Sequence, residues 1–248
     1  FFNKKIFNYR LSNLNQKIIL FKKYGVDFII NKKFNLKFSK VKAYTFIKNI
    51  LVNKIKPKYI LVSDNFRFGC KREGDVFLLK KFQEKFNYKL IKPETLLKKT
   101  KIISSTLIRK LLSNGKLNLA NKYLGRNWSV EGIVKKGRKM GKKIGFPTCN
   151  IDLGNYVIAK PGVYAVKVYL PNKRKYLKGI ANLGYRPTFN QKRILLEVNI
   201  FNFSRNLYNK KLIIEFIKFI RKEKKFKGVD QLKRQIKYDV NLTKKLKI

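Results

Sequence analysis

Past Gly125 the sequence changes its hydrophobic period, and that change constrains the fold more than any other feature. "WSVEGIV", "GVYAVKVYL", "YLKGIANL", "ILLEVNIF" and "LIIEFIKFI" are successive runs rich in β-branched and aromatic residues, separated by Gly, Pro and Asn turns. This spacing predicts an antiparallel barrel or sandwich. In the second run Tyr164, Val166, Val168 and Leu170 share one face by period-two alternation. A closing amphipathic stretch over about residues 229–246 carries Val229, Leu232, Ile236 and Val240 on one side and predicts a C-terminal helix.

Before Gly125 helix and strand signals alternate. Leu14, Ile18, Ile19 and Phe21 follow a helical pattern closed by Gly25, and "VDFII" reads as a short apolar strand. Ser39 is the predicted cap of a second helix carrying Val41, Tyr44, Ile47, Ile50 and Leu51; Pro57 breaks the chain and "YILVS" follows as a buried strand. A helix over about residues 75–86, the strand "YKLIK", and two short helices over about 105–114 and 117–124, closed by Gly115 and Gly125, complete this half. The alternation predicts a parallel sheet with helices on both faces. The expected domains are residues 1–125 and 126–248, abutting without a low-complexity linker.

With 248 residues, 44% of them apolar, the chain can fill a core in each of two domains. No secretory signal is recognisable, and no apolar run approaches the roughly 18 residues of a membrane helix, so a cytoplasmic protein without a membrane partner is expected. Cys70 and Cys149, the only cysteines, lack C-x-x-C spacing, against a disulfide scaffold or a zinc site. Histidine is absent, which removes imidazole as base or ligand and leaves Asp, Glu, Lys, Ser and Thr for chemistry. A net charge of +48 fits a nucleic-acid partner, attraction of anionic small molecules, or mutational bias. Lys, Asn, Ile and Phe are scattered along every segment, with no basic tail and no Arg-rich block, so no nucleic-acid partner is expected.

The chemistry-bearing stretch is "GRKMGKKIGFPTCNI", residues 137–151. It lacks the Gly-Lys-Ser/Thr ending of a P-loop. Gly137, Gly141 and Gly145 let backbone amides approach anionic phosphates, Pro147 stiffens the exit, and Thr148 and Asn150 supply oxygens suited to Mg²⁺ or phosphate; a purely structural Gly-Pro loop is the other reading. The order of residues resembles the riboflavin kinase signature Gly-Arg-x-Leu-Gly-Phe-Pro-Thr-Ala-Asn, with Lys142, Ile144 and Cys149 in place of the family's Arg, Leu and Ala. Downstream, "GVYAVKV", "GIANLGYRPTF", "LLEVNIFNF", "LYNKKLIIEF", "IRKEKKF" and "LKRQIKYD" resemble the kinase half of prokaryotic bifunctional riboflavin kinase/FAD synthetases; upstream, "VSDNFRFGCKREGD" and "ISSTLIRKLLSNGKLNLANKYLGR" resemble their adenylyltransferase half.

The resemblance implies a partial Rossmann-like nucleotidyltransferase domain followed by a six-stranded antiparallel riboflavin kinase β-barrel with a C-terminal helix. It implies riboflavin, FMN and ATP as substrates, FAD as a product, and Mg²⁺ as cofactor. On that reading Gly137, Gly141, Gly145, Phe146, Pro147, Thr148 and Asn150 hold ATP, with Thr148 and Asn150 at the metal, and Glu197 orients or deprotonates the 5′-hydroxyl of riboflavin. Strand alternation places Glu197 opposite the apolar face of Leu196, Val198 and Ile200. Arg186, and Arg221 with Glu223, support ligand binding or form ion pairs. Asn65, Phe66, Arg67 and Phe68 resemble the flavin-side loop of the adenylyltransferase, and Ser104, Ser105, Thr106 and Arg109 its phosphate grip at a helix N-terminus. The family's opening strand and His-x-Gly-His turn are expected ahead of Phe1, so the 248 residues as written are expected to form FMN but little FAD. The competing expectation is a non-catalytic flavin- or RNA-binding remnant.

Overall fold

The computed structural model describes residues 8–94, 97–98, 101–137, 139–170, 175–187 and 192–247. The chain divides into two compact units, Asp27–Ile103 and a larger one joining Phe1–Val26 to Ser104–Ile248. Helix α1 (Leu14–Lys23) belongs to the larger unit.

In the smaller unit α2 (Leu36–Ser39) precedes α3 (Ala43–Thr45), which runs on as a π-helical stretch, Phe46–Ile55. Strand β1 (Tyr59–Leu61), α4 (Val76–Phe82) and strand β2 (Lys89–Ile91) follow, then a small hairpin of β3 (Leu97–Lys98) and β4 (Lys101–Ile102). β1 and β2 pair in parallel, with Ile60 opposite Leu90, in agreement with the α/β alternation of the sequence. Asp75 caps α4 by accepting from the Leu78 N–H at 2.9 Å. The core holds Ala43, Ile47, Phe68, Leu79 and Tyr88, and burial pushes the Tyr88 phenol up to about 12.

Three local expectations fail here. "YILVS" does give a strand, but not a buried one, since Tyr59 and Leu61 are 59% and 63% exposed. "VDFII" is not a strand: Phe28 and Ile30 are 91% and 73% exposed, and among the described residues no strand pairs with them. An apolar run becomes a strand only where a neighbour supplies its hydrogen bonds. Ser39 does not cap the second helix either. It ends α2, donating its hydroxyl to Leu36 O at 2.8 Å, while Glu73 accepts from the Ala43 N–H at 2.6 Å and satisfies the start of α3 from a distant part of the chain.

The larger unit continues with α5 (Ser105–Ser113), α6 (Leu117–Leu124), β5 (Ser129–Lys135), α7 (Met140–Lys143), β6 (Cys149–Ile151), β7 (Gly162–Tyr169), β8 (Tyr176–Pro187), β9 (Lys192–Ile200), β10 (Lys211–Arg221) and α8 (Val229–Lys244). The six strands close into an antiparallel barrel in the order β10-β5-β6-β9-β8-β7. Five come from the apolar runs of the sequence; β6 is the three-residue exit of the Gly-rich loop. Alternation turns Leu196 and Val198 of β9, Val166 and Val168 of β7, and Leu212 and Ile214 of β10 into a closely packed interior. Trp128, Tyr164 and Phe216 plug it, with ring centroids 4.6 Å (Trp128–Phe216) and 5.1 Å (Tyr164–Phe216) apart.

The N-terminal segment of this unit is sewn to the barrel by polar contacts. Asn13 and Gln16 form a capping box at the start of α1. The buried Gln16 then accepts from Tyr156 Oη at 2.6 Å and donates to Ser129 O at 3.2 Å, and Trp128 Nε1 donates to Leu11 O at 3.1 Å. Replacing Gln16 by Leu keeps the volume but removes the acceptor of the buried Tyr156 hydroxyl and the donor to Ser129 O, a cost of about 1–3 kcal/mol. Urea unfolding followed by the fluorescence of Trp128, the only tryptophan, should show a lowered midpoint; an unchanged midpoint contradicts the role given to this contact.

Candidate active site

The barrel interior is filled, so the functional groups lie on its outer face. Leu196 and Val198 point inward, and the alternate residues Glu197 and Asn199 therefore point outward. Over β6, β9 and β8 lies a cavity of about 290 Å³ that Glu197 and Asn199 share with Thr148 and Asn182. Phe146, Val163, Ile180, Leu232 and Ile236 make its apolar side, and Arg221, Glu223 and Asp239 line the remainder. Thr148 and Glu197, placed in one site by the sequence reading, do share one cavity.

The Gly-rich loop curls tightly. Its turn closes through the Phe146 N–H donating to Gly141 O at 2.7 Å, and Asn199 Nδ2 of β9 donates to Pro147 O at 2.7 Å, docking the loop on the barrel. A Cβ at Gly141 would overlap Phe146 O and stand 3.1 Å from Thr148 Oγ1; a Cβ at Gly137 would overlap Asn150 Nδ2. Gly137 and Gly141 are required by these close approaches. Asn150 is 7% exposed, its Cα is paired across β6–β9 with Glu197, and its Oδ1 is buried without a hydrogen-bond partner. Burial raises the pKa of the neighbouring Cys149 thiol, so the residue replacing the family's Ala is kept neutral.

Two bulges in β10, between Phe216 and Lys218 and between Phe219 and Arg221, re-aim the end of this strand. Arg221 donates through Nε to Asp239 Oδ2 at 2.8 Å, its terminal nitrogen lies 2.7 Å from the same oxygen, and its other terminal nitrogen donates to Lys222 O at 2.9 Å. Asp239 is 1% exposed and accepts from Gln235 Nε2 at 2.9 Å. The pair ties the end of β10 to α8 and closes one side of the cavity. Glu223 instead lies against Gly184 of β8. Asn182, Asn199 and Asp239 were not singled out by sequence reasoning, because register and helix docking, not local spacing, bring them here.

The Arg186 backbone pairs with Arg193 in the β8–β9 ladder, but its side chain falls outside the described residues. Ser104 caps α5, accepting from the Leu107 N–H at 3.2 Å, while Ser105 and Thr106 are exposed and Arg109 Nε donates to Tyr9 O at 2.7 Å. In the smaller unit Asn65 accepts from Ser63 Oγ at 2.8 Å, Phe66 stacks on Phe68 at 5.5 Å, and Arg67 lies 3.7 Å from Asp75. Within the larger unit Ser104, Ser105, Thr106 and Arg109 do not line the cavity.

An outward-facing carboxylate beside a glycine-lined loop on a six-stranded barrel, joined to a smaller α/β unit, has close counterparts. The riboflavin kinase family matches residues 124–247 and the FAD synthetase family residues 1–107. The chain belongs to the bifunctional riboflavin kinase/FMN adenylyltransferase family. It is 43% identical over 248 residues to the bifunctional riboflavin kinase/FMN adenylyltransferase of Buchnera aphidicola subsp. Schizaphis graminum, covering 99% of this chain and 79% of that protein. The Escherichia coli K12 protein of the same description is 37% identical over 230 residues, 93% of this chain and 73% of that one. A crystal structure from Streptococcus pneumoniae, described as a macrolide-efflux protein, superposes with a TM-score of 0.83 at 28% identity, covering 95% of this chain and 76% of that one. Among the described residues no helix is long and apolar enough to cross a membrane.

Removing the Arg221 guanidinium leaves the Asp239 carboxylate buried with only part of its partners. Arg221→Met should lower stability by about 3–5 kcal/mol. Urea unfolding measures this, and a variant as stable as the parent contradicts the tethering role.

Proposed function

We propose that the outer-face cavity transfers the terminal phosphoryl group of ATP to the 5′-hydroxyl of riboflavin, giving FMN and ADP. The observation that carries this reading is the convergence of Thr148 from the Gly-rich loop and Glu197 from β9 on one cavity. Glu197 takes the hydroxyl proton, the freed oxygen bonds to the γ-phosphorus, and the bond from that phosphorus to the ADP oxygen breaks. The Gly137–Gly141–Gly145 loop with Phe146 and Pro147 receives the nucleotide phosphates, and the apolar wall of Val163, Ile180 and Ile236 suits a flat flavin ring. Arg186 belongs to ligand binding in this assignment, whereas Arg221, engaged by Asp239, holds the wall of the cavity.

Mg²⁺ fits the residues present. Asn150 Oδ1 is a buried acceptor without a donor, the state a cation relieves, and Thr148 offers a second neutral oxygen. Among the described residues no cluster of three or more His, Cys, Asp or Glu could hold a metal, so Asn150 and Thr148 are the residues that would hold the ion. When bound, it neutralises charge on the transferring phosphate.

The match of residues 1–107 to FAD synthetase supports FMN adenylylation to FAD as the second activity, assigned to residues 1–125, with 126–248 carrying the kinase. Asn65, Phe66 and Arg67 serve the flavin side of that reaction, and Ser104, Ser105, Thr106 and Arg109 the phosphates. Both cysteines are free thiols, in keeping with a reducing cytoplasm.

Riboflavin-dependent ATP turnover tests the reading. Glu197→Gln should lower kcat by about 100-fold or more while leaving the fold intact by circular dichroism. Asn150→Leu should raise the Mg²⁺ concentration needed for half-maximal rate on the order of 10-fold. Wild-type rates in Glu197→Gln rule out this residue as the base, and an unshifted Mg²⁺ requirement removes Asn150 from the metal.

A further inference from the structure

We infer that Asn199 is a positioning residue for the phosphoryl transfer: its carboxamide, by holding the Pro147 carbonyl, sets where Thr148 and the Gly-rich loop stand relative to Glu197. The inference rests on the reading of the cavity as the kinase site.

The end of a short strand points to it. The β6–β9 ladder pairs Ile151 with Leu196, Asn150 with Glu197 and Cys149 with Val198, and there it stops. The next residues back along the chain are Thr148 and Pro147, and the turn before them closes on itself through the Phe146 N–H and Gly141 O. Pro147 has no N–H, so its carbonyl is the one backbone hydrogen-bonding group it can offer the barrel. Asn199 Nδ2 reaches that carbonyl at 2.7 Å. A side chain of β9 thus takes over where the backbone ladder ends. The bond does more than attach the loop. In a planar trans peptide the C=O and the following N–H point opposite ways, so the bond that holds Pro147 O also fixes how the Thr148 N–H is aimed. Thr148 Oγ1 in turn lies over Gly141, 3.1 Å from where a Cβ would stand.

The anchor and the base ride on one strand. Glu197 and Asn199 are alternate residues on the outward face of β9, their Cα atoms roughly 6.6 Å apart at the rise of a strand, and both line the cavity with Thr148. β9 is paired on both sides, with β6 and with β8, so it is a rigid base for the two groups. A hydroxyl and a phosphate tolerate little misplacement, since an error of about 1 Å can cost on the order of 100-fold in rate. For folding the same bond counts for little. Pro147 is exposed and Asn199 half-buried, so water replaces most of what its loss would remove. A contact of small weight in stability that joins the phosphate loop to the strand of the base acts through geometry.

Two measurements on the full chain test the inference, with Asn199→Leu, which keeps the approximate volume without the donor, and Asn199→Ala as a second variant. In hydrogen exchange without substrates, peptides covering residues 139–148 should exchange several-fold faster in both variants, while peptides from β7 and β10 keep wild-type rates. In steady-state kinetics kcat for riboflavin should fall about 10–100-fold and the KM for ATP rise severalfold, with the riboflavin Kd, read from flavin fluorescence, within about twofold of wild type. Faster exchange across the whole barrel marks a merely structural asparagine, and a lowered kcat with unchanged loop exchange marks a direct contact with substrate; either result overturns the inference. If wild type turns over riboflavin, Glu197→Gln is inactive and both Asn199 variants keep the wild-type kcat, this inference alone falls. If wild type does not turn over riboflavin, the kinase reading falls and takes the inference with it.

Discussion

A closed barrel of only six strands, its interior filled with side chains, has no room inside for a substrate, and the placement of the site follows from that. Trp128, Tyr164 and Phe216 fill one end and the inward residues of β7, β9 and β10 fill the rest. Chemistry is therefore pushed to the outer face, where alternation delivers Glu197 and Asn199 from β9 and Asn182 from β8. The outer face of a barrel is convex, so a cavity there needs walls from elsewhere. The Gly-rich loop supplies one, and the end of β10 with α8 supplies the other.

These two walls are held differently. The loop is fixed by backbone contacts that leave no space for side chains at Gly137 and Gly141. The opposite wall depends on a buried ion pair, Arg221 with Asp239, whose carboxylate Gln235 also engages. Such a pair adds little net stability compared with apolar packing, but it fixes the register of α8 against β10. The result is a cavity with a polar floor and an apolar side, suited to a ligand that joins a flat ring to a hydroxylated chain and a phosphate donor.

Much of this was legible in the sequence, for physical reasons that differ by element. The runs that became β5, β7, β8, β9 and β10 are long, alternating and bounded by turn residues. β6 escaped the periodicity argument because Cys149–Ile151 is too short to show alternation and continues directly from a glycine-rich turn. "VDFII" misled because apolar composition alone does not supply a pairing strand, and Ser39 misled because Glu73, thirty-odd positions later, took the capping role that local spacing gave to the serine. At the site, Glu197 and Thr148 were readable from a resemblance and from alternation. Asn182 and Asp239 were not, since strand register brings one to the cavity and helix docking the other.

The central claim is that the nucleotide and the flavin alcohol meet on the outer face of the barrel, between the Gly-rich loop and Glu197. A crystal structure of the protein with ADP, Mg²⁺ and riboflavin tests it most directly. The account predicts the ADP phosphates at Gly137–Thr148 and the riboflavin 5′-oxygen within about 3 Å of a Glu197 oxygen. Ligands seated anywhere that leaves Glu197 and Thr148 out of contact with either substrate would contradict it.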